Sequence, residues 1–321
     1  MMKLIHITDT HFVPRGKTLF GGDPLKNLER CVADINLHHA DAEVCVLTGD
    51  LTHWGEPEAY EALRECLDPM ITPLRVIIGN HDVRNEMFRW FPKQPLDENG
   101  FYQFAEDFSA GRFLFLDTHE PGKHEGHYCE KRLDWLERQL TDSGKNSLFL
   151  FMHHPPLDVG HPTLDRIGLN NKEAFTRTVR PHCGRIRHLF FGHIHRPLSG
   201  HWLGISMSSL RGINHQVWLD FEETAGDVVH LLLAALLDQA DGARFQVGDQ
   251  RRVARGDTQV TQSAVRDNHL DQAGEDLRLG ADDVAMDCYG HTLASHERPS
   301  PGAQDYSFLA FSTASSIPPT M

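Results

Sequence analysis

Apolar runs of strand length and amphipathic stretches of helical period take turns along the first two thirds of the chain, which predicts stacked α/β layers. Residues 3–8 form the first expected strand. Asp23 followed by Pro24 reads as an N-cap with proline at the first helical position, and Leu25, Leu28, Val32 and Ile35 then recur at helical spacing. A helix is predicted there to about Leu37. Residues 44–47 predict a buried strand, Glu56-Pro57 opens a helix carrying Ala59, Leu63 and Leu67, and residues 74–78 predict another strand. Segments 101–108 and 112–117 flank Ser109-Ala110-Gly111 and predict a hairpin. Leu133, Leu136 and Leu140 mark a helix, Phe175 and Val179 another, and residues 148–152 and 188–191 are strands. Residues 201–208 and 214–221 are expected as closing antiparallel strands.

The pattern breaks near residue 223. From Thr224 to the end there is no lysine, seven Arg face fourteen Asp plus Glu, and polar residues interrupt nearly every apolar cluster. Two regions are therefore expected: a folded domain at 1–223 and a polar, acidic, loosely ordered tail at 224–321, in which 231–237 could still pack. With 321 residues the chain is long enough for a large core, which excludes a small stapled scaffold. A formal charge of −14 disfavours a nucleic-acid polymer or an anionic membrane as partner. The longest apolar run is too short to span a bilayer, the N-terminus reads as a strand rather than a secretory signal, and six scattered cysteines suit reduced thiols. The cytoplasm is the expected compartment. Histidine is unusually abundant, with 22 copies, several beside Asp, Asn or Gly where apolar runs end.

Four short motifs share that placement: Asp9-Thr10-His11, Gly49-Asp50-Leu51-Thr52-His53, Gly79-Asn80-His81-Asp82, and His153-His154-Pro155-Pro156 together with Gly192-His193-Ile194-His195. Side chains beyond the C-terminal ends of strands converge where open α/β sheets gather ligands. Carboxylate, imidazole and carboxamide without thiolate suit Mn, Fe, Zn or Co better than calcium or copper. His193 and His195 more naturally serve two neighbouring ions than one, and two ions need a shared ligand, a part that a lone carboxylate such as Asp50 can play.

Taken together and in this order, Asp-x-His, Gly-Asp-x-x-x-x-Gly, Gly-Asn-His-Asp, His-His-Pro-Pro and Gly-His-x-His resemble the calcineurin-like metallophosphoesterase superfamily. The spacing is most similar to bacterial class III cyclic nucleotide phosphodiesterases and glycerophosphodiesterases. The resemblance covers roughly residues 3–220 and implies a four-layered αββα sandwich with two divalent metal ions. It implies that Asp9, His11 and His195 hold one ion, that Asn80, His153 and His193 hold the other, and that Asp50 bridges them. His81 matches a histidine that contacts the substrate phosphate and is the expected catalytic residue. His215 aligns with a second substrate-side histidine, and His154 either lines the pocket or braces it. The implied reaction is hydrolysis of a small phosphodiester by attack of a metal-held hydroxide. A nuclease, a phosphomonoesterase or a non-catalytic metal-binding scaffold are the alternatives.

Position 53 is His where purple acid phosphatases place a Tyr ligand, so a tyrosinate-bound ferric ion is not expected. The Asp-Arg-Gly stretch of Ser/Thr protein phosphatases is replaced by His53-Trp54-Gly55. Asp82 is expected to orient His81, while Phe12 and Trp54 are expected to pack rather than stack on a base. His119, His124 and His127, in a Gly-rich polar loop, are expected at the solvated surface. Residues 155–171 form the expected specificity loop, where Arg166 has a solvated or structural role before a phosphate-binding one. A homo-oligomer is allowed, although the polar tail makes a poor interface.

Overall fold

The computed structural model describes residues 2–217, 231–233 and 307–310. Strands β1 (Lys3–Ile7), β2 (Val44–Thr48) and β3 (Leu74–Ile77) lie parallel, with helices α1 (Pro24–His38), α2 (Pro57–Leu67) and α3 (Arg84–Trp90) in the connections and after β3. The expected cap of α1 is in place: Asp23 Oδ1 accepts from the Lys26 N–H at 3.3 Å and Pro24 opens the helix. A second sheet follows, built from β4 (Phe104–Phe108), β5 (Gly111–Phe115), β6 (Leu148–Met152), β7 (Ile186–Phe191), β8 (Leu198–Trp202) and β9 (Ile205–Ser209) in the order β4-β5-β6-β7-β9-β8. Helices α4 (Glu130–Asp142), α5 (Pro162–Arg166) and α6 (Lys172–Val179) fall within its connections.

Side-chain alternation turns these elements into four layers. Ile5, Ile7, Cys45, Leu47 and Val76 point from the first sheet toward Leu28, Val32, Tyr60 and Leu63 of α1 and α2. Leu114, Leu148, Leu150, Leu189 and Phe191 point from the second sheet toward Trp135, Leu136, Phe175 and Val179 of α4 and α6. Leu4, Val44, Val46 and Ile77 meet Phe113, Phe115, Phe149, Phe151 and Phe190 between the sheets. The aromatic rings there stack nearly parallel, Phe151 on Phe190 at 4.7 Å and Phe115 on Phe151 at 5.2 Å between centroids. The protein is therefore the αββα sandwich that the resemblance implied.

Several details depart from the expected pattern. Residues 201–208 are not one strand but parts of β8 and β9, joined through Leu203 (φ +54°) and Gly204 (φ +78°) in a tight turn. A leucine at the first left-handed turn position hides the usual hairpin signal. Strand β10 (His215–Val217) pairs antiparallel with β11 (Leu231–Leu233) and not with the second sheet. Helices α3 and α5 are too short for their periodicity to stand out. Strand β12 (Ser307–Ala310) adds to the first sheet, parallel to β1. The remainder of the expected tail at 224–321 lies outside the described residues. No helix among the described residues is long and apolar enough to cross a membrane.

Two histidines, His6 and His188, sit in the inter-sheet layer against the Phe190 ring, bonded to Thr48 and Ser208 hydroxyls at 2.9 and 2.8 Å. Burial pushes each down from the ordinary 6.5 to about 3, so the fold holds both neutral. Their contribution is full above pH 6.5 and is lost as pH falls toward 3, because only the unfolded chain then takes up the protons. Each should cost about 1.4 kcal/mol of stability per pH unit below 6.5. Denaturant melts between pH 7 and 5 should show this loss, and His188→Phe should make it shallower by one proton; an unchanged slope would refute the assignment.

Candidate metal centre

The strand ends are tied to one another before any ion is considered. Beyond β1 and β2 the two loops run side by side: the Asp9, His11 and Phe12 N–H groups donate to the carbonyls of Gly49, Asp50 and Leu51 at 3.2, 2.9 and 2.9 Å. The His53 N–H returns a bond to the Phe12 carbonyl at 2.9 Å. Asp9, His11, Asp50, His193 and His195 all adopt positive φ, between +44° and +69°. Left-handed backbone is costly for such residues, roughly 1–3 kcal/mol each, and it turns successive side chains off the pleat toward one point. Glycines allow the close approach. A Cβ on Gly192 would stand 2.1 Å from Thr8 Oγ1, and one on Gly79 would stand 2.2 Å from the Asp50 nitrogen.

All seven expected metal ligands are brought together. Asp9, His11, Asp50 and His195 offer ligand atoms within 4.8 Å of one another, all buried. His195 Nε2 lies 3.2 Å from Asp9 Oδ1 and 3.0 Å from His11 Nε2. On the other side, Asn80 Oδ1 lies 3.1 Å from His153 Nε2 and 3.0 Å from His193 Nδ1. Asp50 Oδ2 is common to both groups, 3.5 Å from His11 Nε2 and 3.3 Å from His153 Nε2.

The donor set fits divalent cations. His153 Nδ1 donates to the Thr48 carbonyl at 2.8 Å and His195 Nδ1 donates to the His215 carbonyl at 3.2 Å. Those bonds leave the Nε2 lone pairs facing carboxylate and carboxamide oxygens, acceptor against acceptor. A positive charge is needed between them. Ligand atoms 2.0–2.2 Å from one ion stand about 3.0–3.5 Å apart, the spacing found in both groups. The His193 ring turns Nδ1, not Nε2, toward Asn80, so Nδ1 is the nitrogen it offers to an ion. Without a cation a proton must substitute: against the opposing effect of burial, the Asp50 carboxylate pushes His153 up to about 9. Burial and the neighbouring His153 push His193 down to about 3.

The surrounding residues sort differently from expectation. Asp82 does not orient His81: it accepts from the N–H groups of Leu51, Thr52 and Gly79 and from the Tyr60 hydroxyl at 2.9–3.2 Å, bracing the Asp50 loop against the Asn80 loop. Burial, with Asp50 nearby, pushes its carboxyl up to about 6. His81 is half-buried, and its Nδ1 donates to the His53 carbonyl at 2.8 Å. His154 is fully buried with Nδ1 on the Thr118 hydroxyl at 2.7 Å and Nε2 on the His124 carbonyl at 3.0 Å. Both nitrogens are engaged within the protein, the contacts of a bracing residue. The buried His215 ring packs 4.6 Å from His11 and 4.5 Å from His195.

His119 is buried rather than solvated, because its N–H and Arg84 and Arg132 all serve the buried Asp117 carboxylate. His124 is exposed yet reaches Asn80 Nδ2 at 3.4 Å, and His127 pairs with Asn170. Arg166 bonds Thr163 within its own short helix. Phe12 packs as expected, fully buried; Trp54 does not, being 67% exposed. His53, read in the sequence only as a departure from a Tyr ligand, lies with Nδ1 3.0 Å from His11 Nδ1 and stacks on His81 at 4.9 Å. Its position three residues after Asp50 was the available signal.

Residues 2–197 match the family model described as calcineurin-like phosphoesterase, more than half of the chain. The chain belongs to that family. A probable cyclic nucleotide phosphodiesterase of Rhodopseudomonas palustris is 42% identical over 226 residues, covering 68% of this chain and 81% of the relative. A glycerophosphodiester phosphodiesterase of Enterobacter lignolyticus is 31% identical over 228 residues, covering 70% and 81%. A dimetal phosphatase from Danio rerio shares the fold, with a TM-score of 0.54 at 17% identity over 65% of this chain and 87% of that one. Calcineurin-like phosphoesterases act through divalent metal ions, and the His/Asp clusters described above are able to bind them.

Removing the ions should leave carboxylates and lone pairs opposed at the strand ends. Exhaustive chelation is expected to lower the melting temperature by about 5–10 °C, with recovery on adding Mn. An identical melt with and without chelator would contradict a cation-dependent site.

Proposed function

We propose that the chain is a dinuclear phosphodiesterase for small diesters of the cyclic nucleotide or glycerophosphodiester type. Asp9, His11 and His195 hold one ion, Asn80, His153 and His193 the other, and Asp50 is shared. The observation that carries the reading is Asp50 Oδ2, which stands 3.5 and 3.3 Å from imidazoles of the two groups. The phosphodiesterase names of the relatives support the choice of diester. The acidic balance of the chain favours a small anion over a long polyanion. Unpaired cysteines among the described residues agree with a cytoplasmic setting.

Two divalent ions, when bound, neutralise the phosphodiester charge and lower the pKa of water toward neutrality. The protein's own part is orientation. The His81 N–H holds Asp50 Oδ1 at 2.9 Å, which leaves Oδ2 for the shared position. The His81 ring, with Nδ1 committed to the His53 carbonyl, keeps Nε2 to bind a non-bridging phosphate oxygen and to protonate the departing alkoxide. Asn80 and His81 are adjacent in sequence, so one loop positions a ligand and a proton donor together.

Mn-loaded protein should hydrolyse 3′,5′-cyclic AMP or glycerophosphodiesters faster than phosphomonoesters; activity on monoesters alone, or none above background, would overturn the reading. His81→Ala should cut kcat about 10²- to 10³-fold with metal content by elemental analysis unchanged. Unaltered turnover would remove His81 from the mechanism.

A further inference from the structure

Two large apolar side chains stand at the rim of the metal centre and take no part in holding or activating anything described above. Trp54 is 67% exposed and Phe20 is 39% exposed. The Trp54 ring meets the His53 ring edge-on at 4.1 Å between centroids. Phe20 lies edge-on to the same His53 at 5.5 Å and to His215 at 4.9 Å. His53 stacks on His81 at 4.9 Å and 17°, and His81 lies 4.8 Å from His11. A row of rings thus leads from the metal ligands out to solvent.

Neither ring sits on loose backbone. The His53 carbonyl just before Trp54 accepts from His81 Nδ1 at 2.8 Å. Gly55 just after it has φ +75°, and a Cβ there would stand 2.3 Å from Val83 Cγ2. Phe20 itself has φ +50°, in a turn closed by two Leu19–Gly22 backbone bonds of 3.0 Å and packed against Asn214, the neighbour of His215. Left-handed backbone at Phe20 and a tight glycine turn beside Trp54 hold two exposed apolar rings at the rim, where they serve a partner from solvent better than they serve the core. A planar heterocycle attached to the bound phosphate has the matching shape and chemistry, since every nucleobase presents a π face.

We propose that Trp54 and Phe20 form a platform on which the base of a nucleotide diester stacks, so that this site selects nucleotide over glycerol-type diesters. The inference rests on the phosphodiesterase reading for its phosphate anchor and adds the class of group carried by that phosphate. His53 is the wall between anchor and platform.

Calorimetric titration of the Mn-loaded protein with adenosine 5′-monophosphate and with ribose 5-phosphate isolates the base, because the two ligands share sugar and phosphate. The wild-type chain should bind the nucleotide about tenfold more tightly, and Trp54→Ala and Phe20→Ala should each remove most of that preference while leaving ribose 5-phosphate within about twofold. Trp54→Phe, which keeps a ring, should retain part of it. Equal affinities in the wild type, or a preference that survives in both alanine variants, would overturn the platform. Nucleotide preference without hydrolysis of any diester would sustain the platform and remove the catalytic reading, and hydrolysis of diesters without nucleotide preference would do the reverse.

Discussion

Two carboxylates, Asp9 and Asp50, are buried together among imidazoles where the strand ends of both sheets meet. Removing such charges from water costs several kcal/mol apiece unless opposite charge compensates them. The chain supplies no lysine or arginine to either carboxylate among the described ion pairs; it supplies histidines. The bonds of His153 and His195 to backbone carbonyls then aim lone pairs at those same carboxylates. The arrangement is electrostatically complete only with cations, and the rest of the molecule is organised around that requirement.

The sandwich meets the requirement by bringing distant segments to one edge. Strands β1 and β2 deliver Asp9, His11 and Asp50, the loop after β3 delivers Asn80, and β6 and β7 of the other sheet deliver His153, His193 and His195. The phenylalanine layer between the sheets fixes their separation. Left-handed backbone at five of the seven candidate ligands is tolerated because neighbouring loops over-determine it: Asp82 pins one pair of loops, and the His193 N–H donates to both Asp9 oxygens at 3.2 Å to pin another. The fold and the site are coupled through these loops, and stability and metal occupancy should vary together.

Much of this was legible in the chain. Every ligand motif follows an apolar run, and an apolar run in an α/β protein is a buried strand whose end marks the ligand edge, so Asp9, Asp50, Asn80 and the paired histidines could be placed from order and spacing. Other features depend on contacts between segments far apart. His154 becomes a brace only because Thr118 and the His124 carbonyl arrive on either side of it. Asp82 looks like a partner for its neighbour His81 until the Leu51 and Thr52 amides reach it. Trp54 reads as a packing residue because aromatic residues usually are, and only its exposure at the rim separates it from the buried Phe12. The β8–β9 turn was hidden by a leucine at a left-handed position, where Asn or Gly is the usual signal.

The most direct test of the account is anomalous diffraction from crystals grown with Mn. Two peaks should appear at the strand ends about 3.5–4 Å apart, one against Asp9, His11 and His195 and the other against Asn80, His153 and His193, with Asp50 between them. One peak, or density away from Asp50, would contradict a shared carboxylate and the chemistry built on it.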